Sequence, residues 1–471
     1  MDNATIAAIA TPIGRGGIGI IKVSGKDAFS ITESIFKKSA SLSDESRKTY
    51  KPPCFSLKSH RLYHGYIVDK EKGRVLDEVL LSVMLAPHSY TMEDVVEINT
   101  HSGPVVLSSI LNLVLKKGAK LAEAGEFTKR AYLNGRIDLT QAEAVIDIIN
   151  SKTDKALEIA TSQIKGKLKS KIESIRGDLL DILVETEVGI DFSEDAGESQ
   201  NSNRIIKKLE ERVVDDLKEL IEKYENGRVL RNGLKMVVVG RPNVGKSSLM
   251  NRLIQEDRAI VTPIPGTTRD LIEETLNIHG IPVTIADTAG LHETEDPVEV
   301  IGIRKAQEYI EDSDLILFMV DLGDLLTYED YNIYKTIRNK RVILVINKSD
   351  LVEDDFELEI PDSWNMLPRI KISALYGWGL KELKDLIAKN SIGQYGIELQ
   401  NKIIPNLRHK IALERCLRLC VAAIAEIRKE TSFEFIAIDI QEAIESLGEI
   451  IGDTAKEDVV DKIFSRFCIG K

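Results

Sequence analysis

The residues best placed to do chemistry form a glycine-rich loop, Gly240-Arg-Pro-Asn-Val-Gly-Lys-Ser247. It follows the apolar run KMVVVG and precedes the helical pattern SLMNRLI, which is the context that the motif GxxxxGK(S/T) requires. Glycines allow backbone N–H groups to surround phosphate oxygens, and the helix start adds a favourable dipole. Lys246 can neutralise charge on the β- and γ-phosphates, and Ser247 can ligate Mg²⁺. The loop predicts a nucleoside triphosphate site, although this pattern on its own also arises by chance.

Two further segments supply groups for the metal ion and the terminal phosphate. Asp287-Thr-Ala-Gly290 ends the run VTIAD, which places a carboxylate near the metal and a glycine N–H near the γ-phosphate. Gly266-Thr-Thr268 supplies Thr268, whose hydroxyl can ligate Mg²⁺ and sense the γ-phosphate. These segments follow the loop in the order that a P-loop hydrolase requires.

The base is indicated by a motif at the end of the run RVILVI. In the motif Asn347-Lys-Ser-Asp350, the carboxylate of Asp350 can accept hydrogen bonds from both N1–H and the exocyclic amine of guanine. Adenine presents a different pattern there, so the predicted nucleotide is GTP. Ser373-Ala-Leu375 fits a backbone contact to guanine O6.

The groups that would activate water are not evident from these motifs. Leu291 stands directly after DTAG, where Ras-like enzymes place a glutamine that orients water, and leucine cannot do this. Asn243 could help to hold a monovalent cation against the phosphates, or it could merely stabilise the loop turn. Spacing does not choose among the acids that follow DTAG, most of which should be solvated. These acids are Glu293, Glu295, Asp296 and Glu299.

The elements that must position these groups belong to a multidomain protein. The chain has 471 residues, of which 43% are hydrophobic and 29% are charged, as in globular proteins with sizeable cores. The pattern of apolar and turn residues along the chain predicts an α+β domain over 1–118, helices over 119–232, a Ras-like doubly wound α/β domain over 233–392, and helices over 393–471. The α/β domain would therefore be inserted between two segments of one helical bundle.

The predicted strands are of two kinds. In the first domain they are short runs punctuated by turn residues, namely IGIIKVSG, GYIVD, VLLSVMLAP and DVVEINTHSGP, and the segment SSILNLVLKKGAKLAEAGEFTKRAYLNG after them predicts helices. In the inserted domain the runs MVVVG, VTIAD, LILFMVD, RVILVIN and RIKIS are continuously apolar. Such runs are typical of parallel strands that are buried on both faces.

Composition excludes several classes of protein. Four cysteines without a CxxC pair argue against a disulfide framework and for a reducing compartment, and Cys416 and Cys420 are assigned to core packing. The start of the chain does not resemble a signal peptide, and no apolar stretch approaches the roughly 20 residues that span a bilayer. We therefore expect a cytoplasmic protein. A net charge of −12 gives no general attraction to nucleic acid, so RNA binding would need local patches or a partner.

The sequence FCIGK, Phe467 to Lys471, is an unusual ending. As a prenylation box it is weak, since Gly470 is not aliphatic and Lys471 is an atypical last residue. A metal site would lack partner ligands. The remaining interpretation is a tail packed by Phe464, Phe467 and Ile469, which brings Cys468 and Lys471 to a site on the first domain, within one chain or across a dimer.

The motifs taken together resemble a known family. GRPNVGKSS, GTTRD, DTAGL and NKSD are similar to cation-dependent GTPases related to Era. ATPIGRGGIGIIKVSG, GEFTKRAYLNGRIDLTQAEAV and FCIGK resemble the MnmE (TrmE) family of tRNA-modification GTPases, and this resemblance covers essentially the whole chain.

The resemblance implies a homodimer formed through N-terminal folate-binding domains, with a flavoprotein partner, MnmG, in a heterotetramer or larger complex. Together they would add an aminomethyl or carboxymethylaminomethyl group to carbon 5 of the wobble uridine of certain tRNAs. The one-carbon unit would come from a tetrahydrofolate derivative, either 5-formyl- or methylene-tetrahydrofolate. Hydrolysis of GTP, driven by K⁺-dependent pairing of G domains, would control the reaction.

The resemblance also assigns residues. It implies that K⁺ is held by Asn243, Thr262, Ile264 and Thr267, that Mg²⁺ is held by Ser247 and Thr268, and that Glu299 orients water. Folate contacts fall on Lys22, Glu97, Arg136 and Lys471. The family often has Arg where this chain has Lys22, and Lys where it has Arg136. Both side chains are positively charged, but arginine and lysine are not interchangeable in geometry. Cys468 aligns with a tail cysteine that is a candidate catalytic group. The full set of expected GTP contacts is Asn243, Val244, Gly245, Lys246, Ser247, Ser248, Thr262, Pro263, Ile264, Pro265, Gly266, Thr267, Thr268, Asp287, Thr288, Ala289, Gly290, Asn347, Lys348, Asp350, Ser373, Ala374 and Leu375.

Two other classes of GTPase compete with this interpretation. An Era-like ribosome-assembly factor would carry a KH domain with a GXXG loop after the G domain, and here a helical segment without GXXG follows. A dynamin-type membrane GTPase would need a lipid-binding basic cluster or a membrane insert, and neither is evident in the sequence.

Overall fold

The computed structural model describes residues 4–14, 16–39, 58–191, 198–257, 273–287, 307–353, 356–391 and 403–471. The chain forms two compact units. The first contains Met1–Ile146 together with Gly448–Lys471, and the second contains Asp147–Leu447. Compactness alone does not separate the predicted G domain from the helices around it, so the four-part division of the chain remains a prediction.

The described strands fall into two sheets. They are β1 (Ile6–Ile9), β2 (Gly19–Ser24), β3 (Phe36–Lys38), β4 (Arg61–Asp69), β5 (Arg74–Met84), β6 (Val95–Thr100), β7 (Lys120–Leu121), β8 (Leu234–Val239), β9 (Glu273–Ile278), β10 (Ile281–Asp287), β11 (Leu315–Asp321), β12 (Val342–Asn347) and β13 (Arg369–Lys371).

The described α-helices occur in both units. They are α1 (Ala28–Ile35), α2 (Pro104–Lys116), α3 (Glu126–Leu133), α4 (Leu139–Asn150), α5 (Asp154–Ile164), α6 (Lys167–Asp191), α7 (Glu198–Lys208), α8 (Asp215–Asn232), α9 (Lys246–Asp257), α10 (Tyr328–Ile337), α11 (Leu380–Ser391), α12 (Leu407–Arg428), α13 (Phe433–Ile451) and α14 (Glu457–Phe464). A π-helical stretch, Leu209–Val214, joins α7 to α8.

The first unit is built on a seven-stranded sheet with the order β3-β4-β5-β6-β2-β1-β7. Its pairs are antiparallel except for β1 with β7. Alternate residues such as Ile21, Val23 and Ile98 point into a core that also contains Leu107 and Ile110 of α2. The predicted α+β architecture is confirmed.

The segment SSILNLVLKKGAKLAEAGEFTKRAYLNG, predicted to form helices, also contains a short strand between two helices. Helix α2 is followed by Gly118, whose φ of 110° is in the left-handed region that favours glycine. The chain then turns, and Lys120–Leu121 pairs in parallel with β1 before α3 begins at Glu126. The glycine and this short edge strand separate the two helices.

The second unit contains a six-stranded sheet with the order β13-β12-β11-β8-β10-β9. All its pairs are parallel except that of β9 with β10. Val238 and Leu317 belong to one hydrophobic cluster, whereas their neighbours Val239 and Phe318 belong to another. Both faces of the sheet are therefore covered, which is why the strands are apolar at successive positions and why the prediction of a doubly wound sheet is confirmed.

The long helices of the second unit include α6, α8 and α12. Helix α12 begins at a capping box in which Asn406 accepts from the backbone N–H of His409 at 2.8 Å. Cys416 and Cys420 on this helix are both buried, as predicted for core packing. Within the described ranges there is no group of three or more potential metal-ligating side chains, and no helix in them is sufficiently long and apolar to cross a membrane.

Candidate functional site

The glycine-rich loop connects β8 to α9 and is fitted closely to its neighbours. Asn243 has a φ of 63° and Gly245 a φ of 101°, so both lie in the left-handed region. A Cβ atom on Gly245 would collide with the side-chain amide of Asn347, so both backbone conformation and space require glycine there. Asn243, Ser247 and Ser248 are exposed, as groups that receive a ligand must be.

Lys246 lies at the start of α9 with its ammonium turned back into the loop. Its Nζ donates to the carbonyl oxygens of Gly240, at 2.8 Å, and Arg241, at 2.7 Å. The residue is only 7% exposed. The loop therefore concentrates a positive charge and the N-terminus of a helix at one place, which favours a phosphate chain.

The other side of the loop is held by an ion pair that sequence reasoning missed. Arg241 Nε lies 2.8 Å from Asp330 Oδ2, and Asp330 is fully buried. Asp330 also accepts from the backbone N–H of Thr327 at 2.9 Å, which completes the capping box of α10. The pattern Thr-x-x-Asp could have predicted this helix start. Nothing in the sequence indicates that its carboxylate reaches the glycine-rich loop.

The guanine motif is joined to the loop by one buried amide. Asn347, 3% exposed, donates from Nδ2 to Val244 O at 2.8 Å and accepts at Oδ1 from Ala374 N at 2.9 Å. It therefore links the phosphate loop to the segment Ser373–Leu375. Asn347 thus joins its own motif to two others, the glycine-rich loop and the segment Ser373–Leu375. Val244 of the loop lies 103 residues before Asn347 in the sequence.

Asp350 and Lys348 are oriented by their own partners. Asp350 Oδ1 accepts from Ser373 Oγ at 2.5 Å, which orients the carboxylate. Lys348 has a φ of 65°, and its Nζ lies 2.6 Å from Asp321 Oδ2. This arrangement suits a carboxylate that reads two adjacent N–H groups of guanine.

Several expected site residues lie outside the described ranges. Asp287 is the last residue of β10, in register with Val238 of β8. The remaining predicted contacts, Thr262 to Thr268, Thr288 to Gly290, and Glu299, fall in segments that the structure does not describe.

A second cluster of predicted residues lies in the first unit, around two aromatic rings. Lys22 on β2 and Glu97 on β6 are cross-strand partners, with Nζ and Oε1 3.7 Å apart. Lys22 Nζ also lies 5.2 Å from the ring centroid of Tyr90 and 5.4 Å from that of Phe127. Arg136 stacks on Tyr90 at 4.7 Å. Lys22, Glu97 and Arg136 thus converge, and Tyr90 and Phe127 are the neighbours that sequence reasoning missed.

The environment of Lys22 disfavours its charge. Burial lowers the pKa of the Lys22 amine below its ordinary value; Glu97 opposes this shift, and the nearby charge of Lys471 adds to it. Lys471, from the far end of the sequence, is therefore close enough to act electrostatically on β2. This chain has lysine where an arginine would remain charged in any environment.

Within the first unit, the tail lies against the N-terminal segment of the same chain. Ile469 forms an isolated antiparallel bridge with Ala124, and Phe127 N donates to Lys471 O at 3.2 Å. Gly470 has a φ of 95°, and a Cβ there would collide with Ile9 O at the end of β1. The backbone of the tail therefore requires glycine at its closest approach to the sheet.

The packing of the tail partly matches the prediction. Phe464 and Phe467 are buried and stacked, with ring centroids 5.6 Å apart. The prediction that Ile469 also packs is wrong, because its side chain is 57% exposed. Ile469 contributes its backbone to the bridge with Ala124 instead. Cys468 is a free, exposed cysteine.

Comparison with known proteins shows that two models of one protein family match this chain. The family model for the "GTP-binding protein TrmE N-terminus" matches residues 5–136, and the model for the "MnmE helical domain" matches residues 139–468. A "tRNA modification GTPase MnmE" from Syntrophus aciditrophicus is 47% identical over all of this chain and all of its own. Proteins of the same name from Alkaliphilus oremlandii and Thermoanaerobacter pseudethanolicus are 44% and 46% identical, each over 99% of both chains.

Proposed function

Because the chain belongs to the MnmE (TrmE) family of tRNA-modification GTPases, we propose that it acts in the cytoplasm on the wobble uridine of certain tRNAs, using GTP hydrolysis to control the modification. The observation that carries this is similarity over the whole chain, 47% identity over 471 residues, rather than over the G domain alone. An Era-like ribosome-assembly role is not favoured, since the two family models match residues 5–136 and 139–468, far beyond the predicted G domain.

The nucleotide chemistry is that of a GTPase with Mg²⁺. Asp350 would accept from guanine, Lys246 would neutralise phosphate charge, and Ser247 and Thr268 would ligate Mg²⁺. We assign K⁺ to Asn243, Thr262, Ile264 and Thr267. In support, Asn243 is exposed and held at a φ of 63°, where its amide can face the phosphates. A cation there would stabilise charge that develops as the bond to the γ-phosphate breaks, and Glu299 would orient the attacking water.

The second cluster suits a folate. Such a ligand carries glutamate carboxylates and a pterin whose adjacent donors and acceptors suit a carboxylate partner. Arg136 and Lys471 would bind the carboxylates, Glu97 would pair with the amino edge of the pterin, and Tyr90 and Phe127 would exclude water from Lys22. When bound, a tetrahydrofolate derivative would supply the one-carbon unit. We assign the remaining chemistry to MnmG, with which a homodimer of this chain would form a heterotetramer or larger complex that adds an aminomethyl or carboxymethylaminomethyl group.

The direct test uses cells that lack this protein. Their tRNA should lose the modification at carbon 5 of the wobble uridine, as measured by mass spectrometry of nucleosides, and the wild-type chain should restore it. The Glu299→Ala variant should bind GTP normally, lose turnover and fail to restore the modification. Unchanged wobble uridines in the deletion strain would refute the proposed function, and near-normal turnover by Glu299→Ala would return its role to another acid.

The cation assignment predicts salt-specific hydrolysis. Replacing K⁺ by Na⁺ at equal ionic strength should slow GTP hydrolysis on the order of 100-fold, because the electrostatic contribution of the bound K⁺ is lost. Rb⁺, which is close to K⁺ in size, should restore much of the rate. GDP affinity measured in both salts controls for general salt effects. Equal rates in K⁺ and Na⁺ would exclude the K⁺ site.

A further inference from the structure

A short hairpin after β13 displays two aromatic rings on the surface of the second unit. Tyr376 is 60% exposed and Trp378 is 57% exposed. Their ring centroids are 5.3 Å apart and the ring planes are inclined by 23°, so the rings stack on each other. Gly377, with a φ of 85°, provides the turn between them. Each ring therefore covers one face of the other, and both residues remain more than half exposed.

The hairpin is held by its backbone and not by burial of these rings. Ser373 N donates to Trp378 O at 3.0 Å, and Gly377 N donates to Ser373 O at 2.7 Å. Arg252 of α9 donates to Leu375 O at 2.5 Å. Trp364 shows the contrast, since it is fully buried and packs edge-on against Phe318. Tyr376 and Trp378 thus pack on each other at the surface and not into a core.

We propose that Tyr376 and Trp378 form a stacking platform for an unpaired nucleobase of the tRNA substrate, with the guanidinium of Arg252 beside it. The inference rests on the proposed function, which makes an RNA the macromolecule at this surface. Aromatic rings bind splayed-out bases by stacking, and every base offers a π-face. A chain with a net charge of −12 gains little from phosphate contacts in general, so stacking is a suitable source of RNA affinity.

The platform is linked to the guanine site through one hydroxyl. Ser373 Oγ donates to Asp350 Oδ1 at 2.5 Å and accepts from Tyr376 N at 3.2 Å. A guanine that binds Asp350 therefore acts on the same loop that carries the rings. Thermodynamic linkage requires that any effect of the nucleotide on RNA affinity is matched by an equal effect of RNA on nucleotide affinity.

The test measures tRNA binding by the full-length protein. An unmodified tRNA transcript is titrated into the wild type, into a Tyr376→Ala/Trp378→Ala variant, and into Tyr328→Ala as a matched control. Tyr328 is an exposed tyrosine of the same unit, 81% exposed, and lies on α10. The double variant should bind tRNA roughly tenfold more weakly or worse, whereas the control should match the wild type. GDP affinity and melting temperature should be the same in all three proteins.

Fluorescence supplies an independent measurement, since the chain has two tryptophans and Trp364 is fully buried. Addition of tRNA should quench the exposed Trp378, and Trp378→Phe should abolish that change. The inference is overturned if the double variant binds tRNA like the wild type, if the wild type binds no tRNA, or if quenching persists in Trp378→Phe. The inference is also overturned if the double variant loses GDP affinity but keeps its tRNA affinity, because the two rings would then support binding of the guanine nucleotide and not of tRNA. Each of these outcomes leaves the wobble-uridine test unaffected, so the two proposals fail separately.

Discussion

Asp350→Asn is expected to weaken GTP binding by about 100-fold and to confer binding of xanthosine triphosphate. The carboxylate of Asp350 would accept from N1–H and from the exocyclic amine of guanine. An asparagine amide would instead set a donor against one of these donors, and the loss of two charge-assisted hydrogen bonds is worth about 3 kcal/mol. Xanthine carries a carbonyl where guanine carries the amine, so the asparagine side chain complements it.

The measurement is a titration with fluorescent guanine and xanthine nucleotides, followed by hydrolysis rates for both triphosphates. Because Asn can still accept from Ser373 Oγ, the loop that holds position 350 should be preserved in the variant. Ser373→Ala serves as the matched control: it removes that hydrogen bond, retains the carboxylate, and should weaken both nucleotides without exchanging their order. A variant Asp350→Asn that still prefers GTP would show that this carboxylate does not read the base.

Removal of Cys468–Lys471 is expected to abolish tRNA modification while GTP hydrolysis stays near the wild-type rate. The truncation eliminates the bridge of Ile469 with Ala124, the bond from Phe127 N to Lys471 O, and a positive charge close to Lys22. It leaves Phe464 and Phe467 in their hydrophobic cluster, so the first unit should remain folded. The glycine-rich loop belongs to the other compact unit.

Point variants separate placement of the tail from its chemistry. Gly470→Val should reproduce the truncation, since a side chain there collides with Ile9 O and the φ of 95° is strained for valine. Ile469→Ala should have little effect, because that side chain is 57% exposed. Cys468→Ser reports on the thiol alone. If the truncation also eliminates GTP hydrolysis and lowers the melting temperature strongly, the tail is a folding element and not part of a folate site.

The sequence was most informative where a local pattern of residues is typical of a single kind of structure. Apolar runs without alternation, such as LILFMVD, predicted strands buried on both faces, and β11 and β12 are buried at almost every position. Short motifs predicted that the segments of Lys246 and Asn347 belong to one nucleotide site, and Asn347 does contact the glycine-rich loop at Val244. Each of these inferences depends on local periodicity or on a short motif, which sequence displays directly.

The sequence was least informative where a side chain's role depends on a partner far along the chain. The pairing of Arg241 with Asp330 and the position of Tyr90 over Lys22 arise only once the sheets are assembled. Ile469 shows a different failure: the sequence predicts that this apolar residue packs together with Phe464 and Phe467. Its backbone forms the bridge to Ala124, and this leaves the side chain outside.

The split of the first unit into Met1–Ile146 and Gly448–Lys471 affects how the protein is made. Ribosomes add about 5–20 residues per second, so the roughly 300 intervening residues delay the second segment by about 15–60 s. During that time Leu139 and Ala142 lack the partners Val460 and Phe464 that complete their hydrophobic cluster. The second unit is synthesised entirely within this interval. Completion of the hydrophobic cluster of the first unit therefore has to wait until the second unit has been synthesised.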